Sequence, residues 1–228
     1  MNKVQILLLF TIIIGCTKAK NESQLYAKCN SLMGACSNAN AAYCLFGYKW
    51  GLDTYFSPWG DDVKGPRHPG GEITFSFHEH NGLVNTHSQI NLPSLSFQNL
   101  PHYAKGEVRN AFKAWAEIAN ISFSELDENA NAHIKIYVAE IKMSAVAYPN
   151  IDDPTCKLLA GSIIFQSGLS VSQAKMKSVA LHEIGHSLGL GHVNSENIMN
   201  PEKNTDFDRL QAGDSAGIIE IYGEKIYN

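Results

Sequence analysis

The chain has 228 residues, of which 44% are apolar, 10% aromatic and only 18% charged. That is material for one packed domain and excludes a disordered or coiled-coil chain. Eighteen Lys and Arg against 22 Asp and Glu leave a formal charge of -4, with no basic excess to coat phosphates, so general nucleic-acid binding is excluded too.

Residues 1–16 read as an export signal. Met1-Asn2-Lys3 is a short positive start, and the apolar run 4–14, interrupted only by Gln5 and Thr11, is too short to span a bilayer as a mature helix. The run ends in Ile13-Ile14-Gly15-Cys16, which resembles the bacterial lipobox, where the cysteine is lipidated and becomes the mature N-terminus. On that reading Cys16 is a membrane anchor and the protein an outer-membrane or cell-surface lipoprotein. The alternative is an ordinary signal cut after Ala19, with Thr17 and Ala19 acceptably small, giving a secreted or periplasmic protein. Both place it outside the cytoplasm.

Residues 17–70 form a cysteine-containing N-terminal segment expected to be largely irregular. Cys29, Cys36, Cys44 and Cys156 are an even set in an exported chain, which permits disulfides in any of three pairings. Gly51, Pro58, Gly60, Gly65, Pro66, Pro69, Gly70 and Gly71 then follow at turn-forming density. No later stretch is long and apolar enough for a membrane span.

The main domain is placed at residues 71–228. Ile73, Phe75 and Phe77 alternate with polar residues and predict a strand. Val108, Phe112, Trp115 and Ile118 fall three or four apart, the apolar stripe of a helix of about four turns. Ile134, Ile136 and Val138 alternate again, and residues 161–165 are a short apolar run, which predicts two further strands. Ser170 followed three positions later by Gln173 has capping-box spacing and predicts a helix running to Leu188. Met176, Ala180, Ile184 and Leu188 form its apolar stripe, with His182 and His186 one turn apart on the opposite side.

Histidines at that spacing have Cβ atoms about 5 to 6 Å apart and can reach one zinc ion. Catalytic zinc takes three protein ligands and keeps one position open for water, so a third donor is needed. His192 supplies it if the chain turns at Gly189, which can adopt the positive φ that ends a helix. Glu183 lies beside the ligands without being one.

The run His182-Glu183-Ile184-Gly185-His186-Ser187-Leu188-Gly189-Leu190-Gly191-His192 resembles the metzincin zinc motif, and Met199 in Asn197-Ile198-Met199-Asn200-Pro201 resembles the family's methionine turn. Leu210, Asp214, Gly217, Ile218, Ile221, Tyr222 and Gly223 are similar to the C-terminal helix of the matrixin (matrix metalloproteinase) group, with Asp214 close to the site. The likeness runs from about residue 71 to 223. It implies an α+β zincin-like domain: a twisted, mostly parallel sheet with an antiparallel edge strand, an active-site helix and a C-terminal helix. It further implies a metalloendopeptidase with one catalytic zinc on His182, His186 and His192, and Glu183 as general base. The substrate would be a protein or peptide lying extended beside an edge strand, taken to be residues 161–165, and the pocket wall would follow Met199.

Departures from the pattern carry their own expectations. Histidines hold a structural zinc in matrixins where the resemblance places Val146 and Ile164 here, and apolar side chains cannot donate to a metal. The structural zinc is therefore expected to be absent. Gln166 and Ser167 replace the acidic calcium ligands, which leaves calcium open. Pro66-Arg67-His68-Pro69-Gly70 resembles the prodomain latency motif only superficially, and no hemopexin-like domain is expected after Gly223. His78, His80, His87, His102 and His133 are read as structural, and Asp61-Asp62 and Asp152-Asp153 as solvated loops.

The expected protein is a zinc-dependent endopeptidase of extracellular proteins, monomeric, touching membrane only through an N-terminal lipid. Two alternatives stay beside it: a catalytically inert surface-binding lipoprotein on the same fold, and a zinc hydrolase of a non-protein amide.

Overall fold

Apolar alternation along the strands and helical stripes sort the chain into two sheets and three α-helices in a computed structural model. It describes residues 24–26, 41–46, 48–50, 72–79, 82–84, 92–152, 157–202 and 204–226. The signal with Cys16, as well as Cys29, Cys36, Cys156, His68, His80, His87 and Asp61-Asp62, lies outside the described residues. Strands β1 (Gln24–Tyr26) and β2 (Tyr43–Leu45) pair in parallel as a small separate sheet. The main sheet holds β3 (Glu72–Phe77), β4 (Ser122–Glu125), β5 (Ile134–Ala139), β6 (Ala145–Asp152) and β7 (Lys157–Gln166) in the order β4-β3-β5-β7-β6. All pairings are parallel except β6 against β7. Helices α1 (Ala104–Ile118), α2 (Gln173–Ser187) and α3 (Ala212–Tyr222) complete the α+β architecture that the sequence implied. No helix among the described residues is long and apolar enough to cross a membrane.

Strands β5 and β7 are interior and buried on both faces, which is why their sequences read as nearly unbroken apolar runs. The two-residue period divides them between two cores. Ile134, Ile136, Val138, Ile163 and Phe165 face α1 and α2 in the main core. Tyr137, Ala139 and Ile164 join Val146 and Val84 in a smaller apolar cluster. Val146 pairs with Ile164 in the β6–β7 register, so the two apolar residues that stand where the resemblance puts structural-zinc ligands face each other. In the main core the Phe112 and Phe75 rings stack at 4.2 Å, and Trp115, fully buried, reaches α2 through Nε1–H to Leu181 O at 3.2 Å.

Four local expectations need correction. Residues 161–165 are not an edge, because β7 lies between β5 and β6; the outer strand on that side is β6. Its alanines and Pro149 carry a weak strand signal, and proline is tolerated at an edge where one side of the ladder has no partner. Strand β4 is short, with none of its residues buried, so it left no apolar pattern. Helix α2 starts after Ser172, whose hydroxyl accepts from Lys175 N at 3.3 Å, not at a Ser170–Gln173 box. Finally, part of the segment expected to be irregular is core: Ala41, Cys44, Leu45, Phe46, Tyr48 and Trp50 are buried against α2 and α3. Cys44 is disulfide-bonded; all other cysteines lie outside the described residues, so the pairing stays open.

Among the described residues, the histidines outside the motif of residues 182–192 have local partners. His78 stacks on Tyr137 and sits within hydrogen-bond distance of Ser76 Oγ; His133 Nδ1 accepts from Thr74 N; His102 packs edge-on to Tyr103.

Candidate metal centre and cleft

Helix α2 is apolar along Met176, Ala180, Ile184 and Leu188, all fully buried, but its other side is not solvent-facing either. His182 and Glu183 are 5% and 6% exposed. Polar groups buried to that degree need partners. The helix comes close to Met199 at Gly185, where a Cβ would lie 2.4 Å from Met199 Sδ. The methionine turn therefore packs directly beneath the helix, and glycine is the residue that lets it.

After Ser187 the chain turns at Gly189, with φ of 109°, and returns through Leu190 and Gly191 to His192. The turn brings three imidazoles together. His182 Nε2 is 3.1 Å from both His186 Nε2 and His192 Nε2, and the latter two are 2.9 Å apart. His182 Nδ1 lies 2.7 Å from Ile198 O, and His186 Nδ1 lies 2.8 Å from Leu190 O. A carbonyl only accepts, so each Nδ1 carries the proton and each Nε2 of the neutral ring presents a lone pair. Burial keeps the rings neutral, lowering His182 to about 4, His186 well below its ordinary value, and His192 in the same direction. Lone pairs gathered this closely repel unless a cation sits among them, and three neutral imidazoles are a fitting donor set for zinc.

The three histidines have supports of their own. Asp214, buried in α3, accepts from Ile198 N at 3.0 Å, Met199 N at 3.2 Å and Gln211 N at 2.8 Å. It thus holds the turn whose Ile198 carbonyl fixes the His182 ring. Burial pushes the Asp214 carboxyl up, opposed by those three hydrogen bonds.

Glu183, one residue from His182, accepts a hydrogen bond from the backbone N–H of Ala147 on β6. Burial pushes its carboxyl up to about 8, with the Ala147 hydrogen bond pulling the other way. The site opens into a cleft of about 480 Å³ between β6 on one side and the segment after Met199 on the other. Val179, Ala145, Pro201, Glu202 and Phe46 line it.

The residues singled out from the sequence, His182, Glu183, His186, Gly189, His192, Met199 and Asp214, all fall in this one region. Val179 was missed although it stands one helical turn before His182 and so was legible. Phe46 was missed because nothing local marks a residue 140 positions from His186 as its neighbour. Gln166, where calcium ligands would be expected, turns its amide inward, accepting from Ile141 N at 2.5 Å and donating to Ser167 O at 3.0 Å.

Comparison with known proteins agrees with this geometry. The family model for matrixin, Peptidase_M10, matches residues 94–223. Matrix metalloproteinase-19 of Homo sapiens is 31% identical over 151 residues, covering 60% of this chain and 28% of the relative. Metalloendoproteinase 1 of Glycine max is 33% identical over 140 residues, covering 52% and 45%. Metalloendoproteinase 1-MMP of Arabidopsis thaliana is 29% identical over 133 residues, covering 50% and 36%. The chain thus spans less than half the length of each of these relatives. Because the matched region takes in more than half of the chain, including all three histidines and the methionine turn, the chain belongs to the matrixin family of metalloproteases.

Proposed function

We propose that this protein is a zinc-dependent endopeptidase that cuts internal bonds of extracellular proteins. The observation that carries the reading is three imidazole Nε2 atoms converging beside a buried carboxylate at the floor of an open cleft. His182, His186 and His192 would hold the metal, and when bound it would supply Lewis acidity to a water and to the scissile carbonyl. The chain's own groups do the rest. Glu183 takes the proton of the attacking water and delivers it to the leaving amine, and the Ala147 N–H favours the carboxylate form that a base needs. Among the described residues β6 has no strand on its outer side, so an extended peptide would add there by backbone hydrogen bonds, past residues 143–147 that line the cleft. The export signal, with lipidation at Cys16 or cleavage after Ala19, would deliver the enzyme to such substrates. With Val146 and Ile164 packed together as apolar partners, we assign one zinc per chain.

The test is a quenched-peptide library assayed on wild type and Glu183→Ala, with metal analysis of both. Wild type should carry one zinc and cleave internal bonds, with activity lost to a chelator. The variant should retain zinc and lose about 10²-fold or more in rate. Full activity in Glu183→Ala would refute the base assignment, and two zinc ions per chain would refute the single-metal reading.

A further inference from the structure

The last carbonyls of an α-helix have no donor within the helix. At the end of α2 the Ile184, Gly185 and His186 carbonyls take the N–H groups of Leu188, Leu190 and Gly189, and one short segment, residues 44–50, outside the region matched by the family model, adds donors to this end of the helix and to the turn after it. Tyr48 Oη donates to His186 O at 3.1 Å, and Trp50 Nε1 donates to Ser187 O at 2.8 Å. Tyr222 Oη donates to Leu188 O at 2.8 Å while accepting from Trp50 N at 3.1 Å. Phe46 N donates to Gly189 O at 2.8 Å, and Gly191 N donates back to Cys44 O at 2.9 Å. Leu45 and Leu190 are thereby bridged in antiparallel fashion, and Leu190 O is the acceptor for His186 Nδ1. The Phe46 ring lies over the His186 imidazole, with centroids 5.7 Å apart and planes 23° from parallel. It is 2% exposed yet lines the cleft.

We propose that Phe46 is a positioning residue for the metal centre: its ring fixes the plane of the His186 imidazole while its backbone clasps the turn that delivers His192. The inference rests on the reading of the three histidines as zinc ligands. One hydrogen bond at Nδ1 leaves an imidazole free to rock about that bond, and a stacked ring removes this freedom. The same segment controls two of the three ligands, His186 through the ring and His192 through residues 189–191. Zinc retention is thereby tied to a stretch of chain distant in sequence.

Phe46→Leu keeps apolar bulk and loses the ring; Phe46→Tyr keeps the ring. Phe77→Leu is the control for a buried phenylalanine lost elsewhere in the main core, where Phe77 packs edge-on against Phe97. Each protein is measured for thermal midpoint, for zinc affinity by competition with a chromophoric chelator, and for the visible absorption of its cobalt-substituted form, which reports ligand geometry. Phe46→Leu should weaken zinc about 10-fold or more, the range typical of groups that orient a ligand, and alter the cobalt spectrum. Phe46→Tyr should restore both, and Phe77→Leu should lower only the midpoint. Wild-type affinity and spectrum in Phe46→Leu, or the same losses in Phe77→Leu, would overturn the proposal. A wild type that binds neither metal would instead overturn the reading of the site and this proposal with it.

Discussion

Gly189→Ala tests how the third ligand is delivered. An alanine there must adopt φ near 109°, and its Cβ would lie 2.3 Å from the Tyr48 carbonyl oxygen and 3.4 Å from Ile221 Cδ1. That oxygen cannot retreat freely, since its residue is buried and tied on one side by Phe46 N to Gly189 O and on the other by Tyr48 Oη to His186 O. Backbone strain of about 1–2 kcal/mol adds to about 1–3 kcal/mol for forcing packed groups apart. The smaller loss of unfolded-state entropy, about 0.4–1 kcal/mol, works in the opposite direction. The net expectation is destabilisation of about 2–3 kcal/mol, a fall of roughly 4–12 °C in thermal midpoint for a domain of this size. Urea unfolding of the metal-free and zinc-saturated forms separates the two consequences. The metal-free form should lose that stability outright, and the zinc-dependent increment should shrink as well because His192 is displaced. Unchanged or increased stability of the metal-free variant would refute the reasoning, for that is what alanine does at a glycine with room and ordinary φ.

Asp214→Ala leaves two buried backbone N–H groups, at Ile198 and Met199, and the half-buried N–H of Gln211 without their acceptor. Stability should fall by at least about 2 kcal/mol, and zinc should dissociate faster because the Ile198 carbonyl no longer holds His182. A variant that melts with wild type would show that the turn does not depend on this carboxylate. Lys49 is 2% exposed, and burial lowers its pKa from the ordinary 10.5 to about 8. Between those values the unfolded chain binds more protons than the folded one, so stability should rise with pH across the window, by up to about 3 kcal/mol. Comparing urea midpoints of wild type and Lys49→Met from pH 7.5 to 10 isolates the contribution. A difference that stays constant or falls with pH would contradict it.

The grouping of the three histidines was readable before any fold because its spacing is local. His182 and His186 are placed by the helical period alone, and Gly189 and His192 follow within one turn, so their mutual position follows from backbone geometry. Met199 and Asp214 needed family likeness, since their distance from the metal depends on how α3 docks beneath the turn. The edge strand was misassigned for a related reason. Residues 161–165 are strongly apolar because they are interior, and a strand's place in the sheet order is set by pairings with residues far along the chain. Val146 and Ile164 show both sides of this. Their chemistry excluded them as ligands from sequence alone, but only the β6–β7 register puts them against each other in an apolar cluster. Phe46 and its neighbours are the extreme case. Nothing in residues 41–50 announces a role, because the carbonyls they satisfy belong to a helix about 140 residues away. Local hydrogen-bonding geometry repeats along the chain and leaves a period to read; contacts closed across long loops leave none.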